Sequence, residues 1–299
     1  MPISEAQLDT WSHQGAVTTS STTYATIKAA IQRPGLAYSG LVYRVFLQGS
    51  YGNDTNIHGV DSDVDVVICL ESTYHGDLSA LSVLAKMSYH ADHPGPPAYQ
   101  LSNFKNDVRA ALDAAFPYAV HGGSKALHIA ANGARRKADV IVATNYFQYS
   151  MYVSDALESH TSGITFQTAG GKMLVNYPAQ HSVNCTAKHQ ATGNRFKPTV
   201  RIFKNIRNRL IDNGLIGAGT VPSYFLEGLL SNVPNNLFVA SRQATVSGIL
   251  TYLQQANRAN FMCANGLHPL HTGDPDLCWQ ATQCTAFINT ANIWWLLAI

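Results

Sequence analysis

The sequence predicts an α+β fold, with a sheet lobe early in the chain and a helical lobe after it, and three observations carry that prediction. Short runs rich in Val, Ile, Leu, Tyr and Phe, bounded by Gly, Pro or polar clusters, recur up to residue 177 and read as strands. After Pro178 the apolar residues fall at helical spacing instead. The chain has 299 residues, 46% hydrophobic and 13% charged, which is enough to bury a large core in one big domain or two fused lobes. The division is expected between residues 1–175 and 176–299.

Each element has its own signal. Ser4 followed by Gln7 reads as a capping box opening a helix that carries Leu8 and Trp11. The polar stretch Thr18 to Thr23 marks a break or a second cap, and Tyr24, Ile27 and Ile31 give another helical stripe. A long N-terminal helix is therefore expected to brace both lobes. Leu41 to Leu47 is β-rich and ends before Gly49, and Val64 to Leu70 is a near-continuous apolar strand. Leu78 to Met87 and Phe104 to Phe116 are helical, separated by the loop at Pro94-Gly95-Pro96-Pro97. Leu127 to Ala131 and Ala138 to Ala143 are strands, and Ile164 to Thr168 with Met173 to Tyr177 form a hairpin turned at Gly170-Gly171. The clearest later helices are Phe196 to Asp212, Pro222 to Asn232 and Ala240 to Ala259.

Net charge is +2, too weak a field to demand long duplex nucleic acid as a partner, while small anionic substrates in a local basic cleft fit it well. The first residues lack the basic and apolar regions of an export signal, and the apolar run Ile293 to Ile299 is far short of a membrane span. A cytoplasmic, membrane-free protein is expected. The five cysteines do not pair into a disulfide framework, and Cys263, His268, His271, Cys278 and Cys284 match no tight zinc-ligand spacing.

The chemistry sits in the sheet lobe. Phe46-Leu47-Gln48-Gly49-Ser50 is followed, after twelve residues, by Asp63-Val64-Asp65-Val66-Val67. Alternation along a strand places Asp63 and Asp65 on one face. Two such carboxylates repel unless a cation lies between them, and magnesium, or manganese, accepts hard oxygen ligands of this kind. Gly49 lets backbone approach a phosphate, and the Ser50 hydroxyl can donate to it. Asp139, an acid within the apolar run Ala138 to Val142, is the third carboxylate. Two ions held by Asp63, Asp65 and Asp139 would activate a hydroxyl and stabilise a leaving pyrophosphate. Asp61 reads as a turn residue and is left out of the site.

This pattern resembles the Pol-β-type nucleotidyltransferases. The likeness tightens through Gly49-Ser50-Tyr51, Thr55-Asn56-Ile57, Ser62 to Asp65, Asn176-Tyr177-Pro178, His181, Asn184 and Arg195 to Asn205, together with Leu8 to Ala16. Those residues are similar to the bacterial CD-NTases, relatives of cyclic GMP-AMP synthase, and most closely to their E clade. One departure is an extra residue near Val60-Asp61. The resemblance implies a cyclic dinucleotide synthase that joins two nucleoside triphosphates with release of pyrophosphate. It also implies a product that serves as a second messenger in anti-phage defence (CBASS), read by a separate effector protein. The alternative is transfer of a nucleotide to an RNA, a protein or a small molecule.

Lys197, Arg201 and Lys204 form one stripe of the Phe196 to Asp212 helix, with Val200, Phe203, Ile206 and Leu210 on another face. By resemblance, Lys204 and Ser223 contact the triphosphate and Tyr224 stacks on a base. Asn176 stands before Tyr-Pro where the chain turns into the helical lobe; by resemblance to E-clade enzymes an asparagine there accompanies pyrimidines, and a serine accompanies purines. Its amide suits uracil O4 and N3–H. UTP and ATP are thus the expected substrates, giving cyclic UMP-AMP or cyclic di-UMP.

Overall fold

The computed structural model describes residues 3–15, 17–58 and 63–298. Val60 and Asp61 lie outside these. The chain forms two compact units, one of Met1–Val17, Gly49–Ser62 and Ala179–Ile299, the other of Thr18–Gln48 and Asp63–Pro178. Relative to a single cut after residue 175, the helical unit additionally takes the first seventeen residues and the Gly49–Ser62 segment.

Instead of one long N-terminal helix there are two short ones in different units, α1 (Glu5–Ser12) and α2 (Thr18–Ile31). Ser4 caps α1, its side chain accepting from Gln7 N–H. The break has a physical cause. Gly15 donates its N–H to Asn56 O and lies so close that a Cβ on it would meet Ile57 O at 2.2 Å, so this stretch bonds to a neighbouring loop rather than to another helical turn.

In the sheet unit β1 (Tyr43–Leu47) runs antiparallel to β2 (Val64–Asp77), and β2 runs parallel to β5 (Ala138–Ser154). The near half of β5 pairs with β4 (Leu127–Ile129), which pairs with β3 (Val120–Gly122); the far half pairs with β6 (Leu157–Gln167), which pairs with β7 (Met173–Asn176). β2 and β5 continue well past the apolar runs that announced them. Val64 to Leu70 is almost wholly buried, but the rest of β2 is half-exposed and polar, so its hydrophobic signal stops early. Between the two stretches Glu71–Thr73 loop out of the pairing with β5. Helix α2 and helix α5 (Leu101–Ala115) pack on the sheet through buried Ile27, Ile31, Phe104, Val108 and Leu112. Helix α4 (Val83–Asp92) begins five residues later than expected, because Ser82 is its cap and Leu78 to Leu81 close a turn first.

In the helical unit, α7 (Phe196–Asp212) has the bounds its periodicity predicts and buries Val200, Phe203, Ile206 and Leu210 completely. Around it lie α1, α6 (Pro178–Ala191), α8 (Ser223–Ser231), α9 (Arg242–Gln255) and α10 (Ala281–Ala298), sharing one core that includes Leu8, Leu229, Ile249 and Trp295. A four-residue α3 (Gly49–Gly52) carries the Gly-Ser pair. Cys263 and Cys284 are buried in that core, and the imidazole of His271 bonds to Trp279 O. No helix among the described residues is long and apolar enough to cross a membrane.

Candidate active site

Asp65 and Asp139 are register partners on the adjacent parallel strands β2 and β5. Register partners share a face, and adjacent strands lie about 4.8 Å apart, so the two carboxylates stand side by side. Burial alternates where each strand begins: Val64, Val66 and Val140 are buried, while Asp63, Asp65 and Asp139 are half-exposed on the opposite face. Asp63 immediately precedes β2, where Val64 N–H bonds Lys137 O. Hard oxygen donors packed this closely, on a face open enough for a ligand, fit a divalent cation. A fourth residue, invisible to motif reading, completes the row. His128 on β4 is the register partner of Asp139 from the other side, and its Nδ1 lies 2.5 Å from Asp139 Oδ1.

In the helical unit the Gly49-Ser50 segment is built around Gly49, whose φ of 66° is a conformation that favours glycine. Gly49 O accepts from Asn53 N–H and Ser50 O from Thr55 N–H, which folds the following residues into a tight loop. The basic stripe of α7 grips that loop. Lys197 Nζ is 3.0 Å from Asp54 Oδ2, Arg201 donates to Asp54 O, and Lys204 Nζ donates to Thr55 O and Thr55 Oγ1. Lys204 is only 1% exposed, and its ammonium is shared between Thr55 and Glu227 at 2.8 Å.

Glu227 is the hub of this arrangement, and no sequence motif announced it. Its Oε1 accepts from Lys204 and from Thr55 Oγ1, and its Oε2 from His181 Nε2 at 2.8 Å and Asn53 Nδ2 at 3.2 Å. Burial alone would raise its pKa and lower that of Lys204, but Lys204 and His181 hold the carboxyl well below the usual carboxylate range. His181, Cys185 and Glu227 present donor atoms within 4.8 Å of one another. The lysine ammonium already supplies the positive charge there, and burial pushes the Cys185 thiol up, away from the thiolate a metal would need.

Ser223 opens α8 and its Oγ accepts from Arg207 Nη1 at 3.0 Å, a cation one turn beyond Lys204 that the sequence reading did not single out. Tyr224 is half-buried, its ring stacked on His181 with centroids 4.9 Å apart, its hydroxyl accepting from Asn265. In the sheet unit Asn176 ends β7, half-buried, with its Oδ1 accepting from Tyr177 N–H at 2.9 Å. The amide keeps two donors and a second lone pair for other partners.

Residues 183–296 match the cGAS/DncV-like nucleotidyltransferase C-terminal helical domain. A cyclic UMP-AMP synthase of Rhodothermus marinus (strain SG0.5JP17-172) is 35% identical, over 99% of this chain and 98% of that protein. The solved structure of Rhodothermus marinus CdnE c-UMP-AMP synthase with Apcpp and Upnpp is similar with a TM-score of 0.87, covering 99% of this chain and 97% of that one. The structure of Elizabethkingia meningoseptica CdnE cyclic dinucleotide synthase with GTP and Apcpp is similar with a TM-score of 0.77 at 28% identity, covering 99% of each chain.

Proposed function

The chain belongs to the CD-NTase family, among the CdnE cyclic dinucleotide synthases, and from that premise we propose that it condenses UTP with ATP, or with a second UTP, into a uridine-containing cyclic dinucleotide. The enzyme is a metal-dependent nucleotidyltransferase. The observation that carries the reaction centre is the register pairing of Asp65 with Asp139, which puts two carboxylates on one face beside Asp63. These three would hold magnesium or manganese, two ions in all. When bound, the ions supply positive charge to the reacting α-phosphate and to the leaving pyrophosphate.

The remaining chemistry is done by the chain. A ribose hydroxyl of one nucleotide attacks the α-phosphate of the other, and Asp139 takes its proton. The new P–O bond forms as the bond to pyrophosphate breaks, and a second such step closes the ring. Gly49 and Ser50 offer backbone and hydroxyl to phosphate oxygens, and Lys204, which holds the Thr55 loop, is assigned to the triphosphate. Ser223 and Tyr224 are assigned to the triphosphate and to stacking on a base. The product is a second messenger of anti-phage defence (CBASS), made in the cytoplasm and read by a separate effector protein.

Base choice is assigned to Asn176. The two solved relatives carry uridine and guanosine ligands on one shared fold, so architecture alone does not set the base. With Oδ1 already holding Tyr177 N–H, its free lone pair and amide donors still match uracil N3–H and O4. The test is incubation with four labelled NTPs and Mg2+, then phosphatase. A phosphatase-resistant, uridine-containing product is expected, and Asn176→Ser should shift incorporation toward ATP or GTP. Purine-only products would overturn the base assignment, and label found on an RNA or protein acceptor would overturn cyclisation.

A further inference from the structure

We propose that His128 is a positioning residue that locks the third carboxylate, and that Gly123 is side-chain-free to let it do so. This rests on the assignment of Asp139 to the metal site.

Two independent observations converge on the imidazole. The first is the bond itself. A carboxylate only accepts, so the proton at the 2.5 Å contact is carried by His128 Nδ1 and given to Asp139 Oδ1. That bond stops rotation of the carboxylate about its own axis and occupies Oδ1, leaving Oδ2 to meet a cation or a hydroxyl proton. Hydrogen-bond partners of this kind orient ligands and tune affinity at metal sites generally.

The second is the fit at the opposite edge of the ring. Gly123 begins the turn between β3 and β4, its N–H bonding Ala126 O at 2.9 Å. A Cβ on Gly123 would meet His128 Nε2 at 2.0 Å and Cδ2 at 2.5 Å, and more distantly the backbone oxygen of Ala126 at 2.9 Å. Gly123 is not among the residues with positive φ, so its backbone conformation does not by itself demand glycine. The imidazole occupies the space where a side chain would stand. It is held between Gly123 on one edge and Asp139 on the other, on a strand whose neighbours Leu127 and Ile129 are buried in the sheet. Half of the His128 side chain is still exposed, so removing it opens no cavity in the core.

The experiment compares His128→Ala, His128→Asn, Gly123→Ala and the Gly123→Ala/His128→Ala double variant with the wild type. Mn2+ affinity is read by electron paramagnetic resonance of free Mn2+, and turnover by pyrophosphate release. His128→Ala should weaken Mn2+ binding and lower kcat by about 10- to 100-fold with little change in NTP KM. Asn places its amide nitrogen near the Nδ1 position, so His128→Asn should recover most of both. In Mn2+ affinity and kcat Gly123→Ala should resemble His128→Ala, and adding it to His128→Ala should lower neither further, the contact with Ala126 O being felt in stability alone. Wild-type Mn2+ affinity and kcat in His128→Ala would overturn the proposal, as would no recovery with Asn or losses of Mn2+ affinity and kcat that add in the double variant. Asp63→Asn/Asp65→Asn is the control: wild-type Mn2+ affinity in it removes the underlying metal-site assignment, whereas loss there with a normal His128→Ala removes only the role of His128.

Discussion

Glu227 is 2% exposed and still carries its charge, because Lys204, His181, Thr55 and Asn53 together fill its acceptor positions. Such a hub is expensive to break from one side. Lys204→Ala removes the cation from a buried ion pair and leaves the carboxylate behind, a change that costs about 3–5 kcal/mol in stability. Any loss of nucleotide affinity in that variant should therefore come with a lowered denaturant midpoint, measured without nucleotide; an unchanged midpoint would count against the hub. The pH dependence follows from the sign of the shift. The Glu227 carboxyl titrates lower in the folded chain than in the unfolded one, so its contribution is complete above the ordinary carboxylate pKa, near ~4.3, and is lost as pH falls through the folded value. Between those limits the wild type should lose up to about 1.4 kcal/mol per pH unit more than Glu227→Gln does. Parallel acid profiles would show that Glu227 does not titrate in this way.

At the scale of elements, legibility followed the reach of the signal. The carboxylate strands could be read because an acid inside an apolar run is conspicuous, and α7 because one stripe of its surface is wholly buried. The three-residue β3 and the outer parts of β5 and β6 could not, since pairing defines them rather than composition, and the polar stretch that marks the break between α1 and α2 did not show the close approach by Gly15 behind it. Likewise the target of the basic stripe lies more than 140 residues away in sequence, from Lys197 to Asp54 and from Lys204 to Thr55, where no local pattern points. Gly163 shows the same kind of hidden constraint. It sits in β6, where a Cβ would meet Asn176 O and the Tyr177 ring at 2.9 Å. Neither obstacle is the end of a flexible chain, so Gly163→Ala must push the end of β7 outward. Overpacking of this sort costs about 1–3 kcal/mol. If Asn176 selects the base, the variant should also change the ratio of UTP to ATP incorporated, and an unchanged ratio would show that its placement is not what decides.

At the scale of the whole molecule, the chain crosses from one unit to the other after Val17, Gln48, Ser62 and Pro178. A conventional truncation after residue 175 therefore cuts through the helical unit's composition rather than around it. The 1–175 fragment would retain Ile3 and Leu8, whose buried positions are in the core formed with Phe203, Leu229 and Ile249, together with the Gly49 segment gripped by α7. Deprived of those partners, its apolar groups return to water at about 25 cal/mol per Å2 of area re-exposed. The sheet unit, in contrast, can be excised along its own seams. β1 and β2 are antiparallel neighbours, Leu47 pairing with Val66 and Gln48 N–H bonding Asp65 O at 2.9 Å, so a short Asn-Gly turn can join Gln48 to Val64. That piece, residues 18–48 linked to 64–178, keeps α2, α4, α5 and every strand of the sheet. It should unfold in a single cooperative transition by circular dichroism, whereas 1–175 should aggregate or melt without cooperativity. The reverse outcome would mean that the two units are not units of folding.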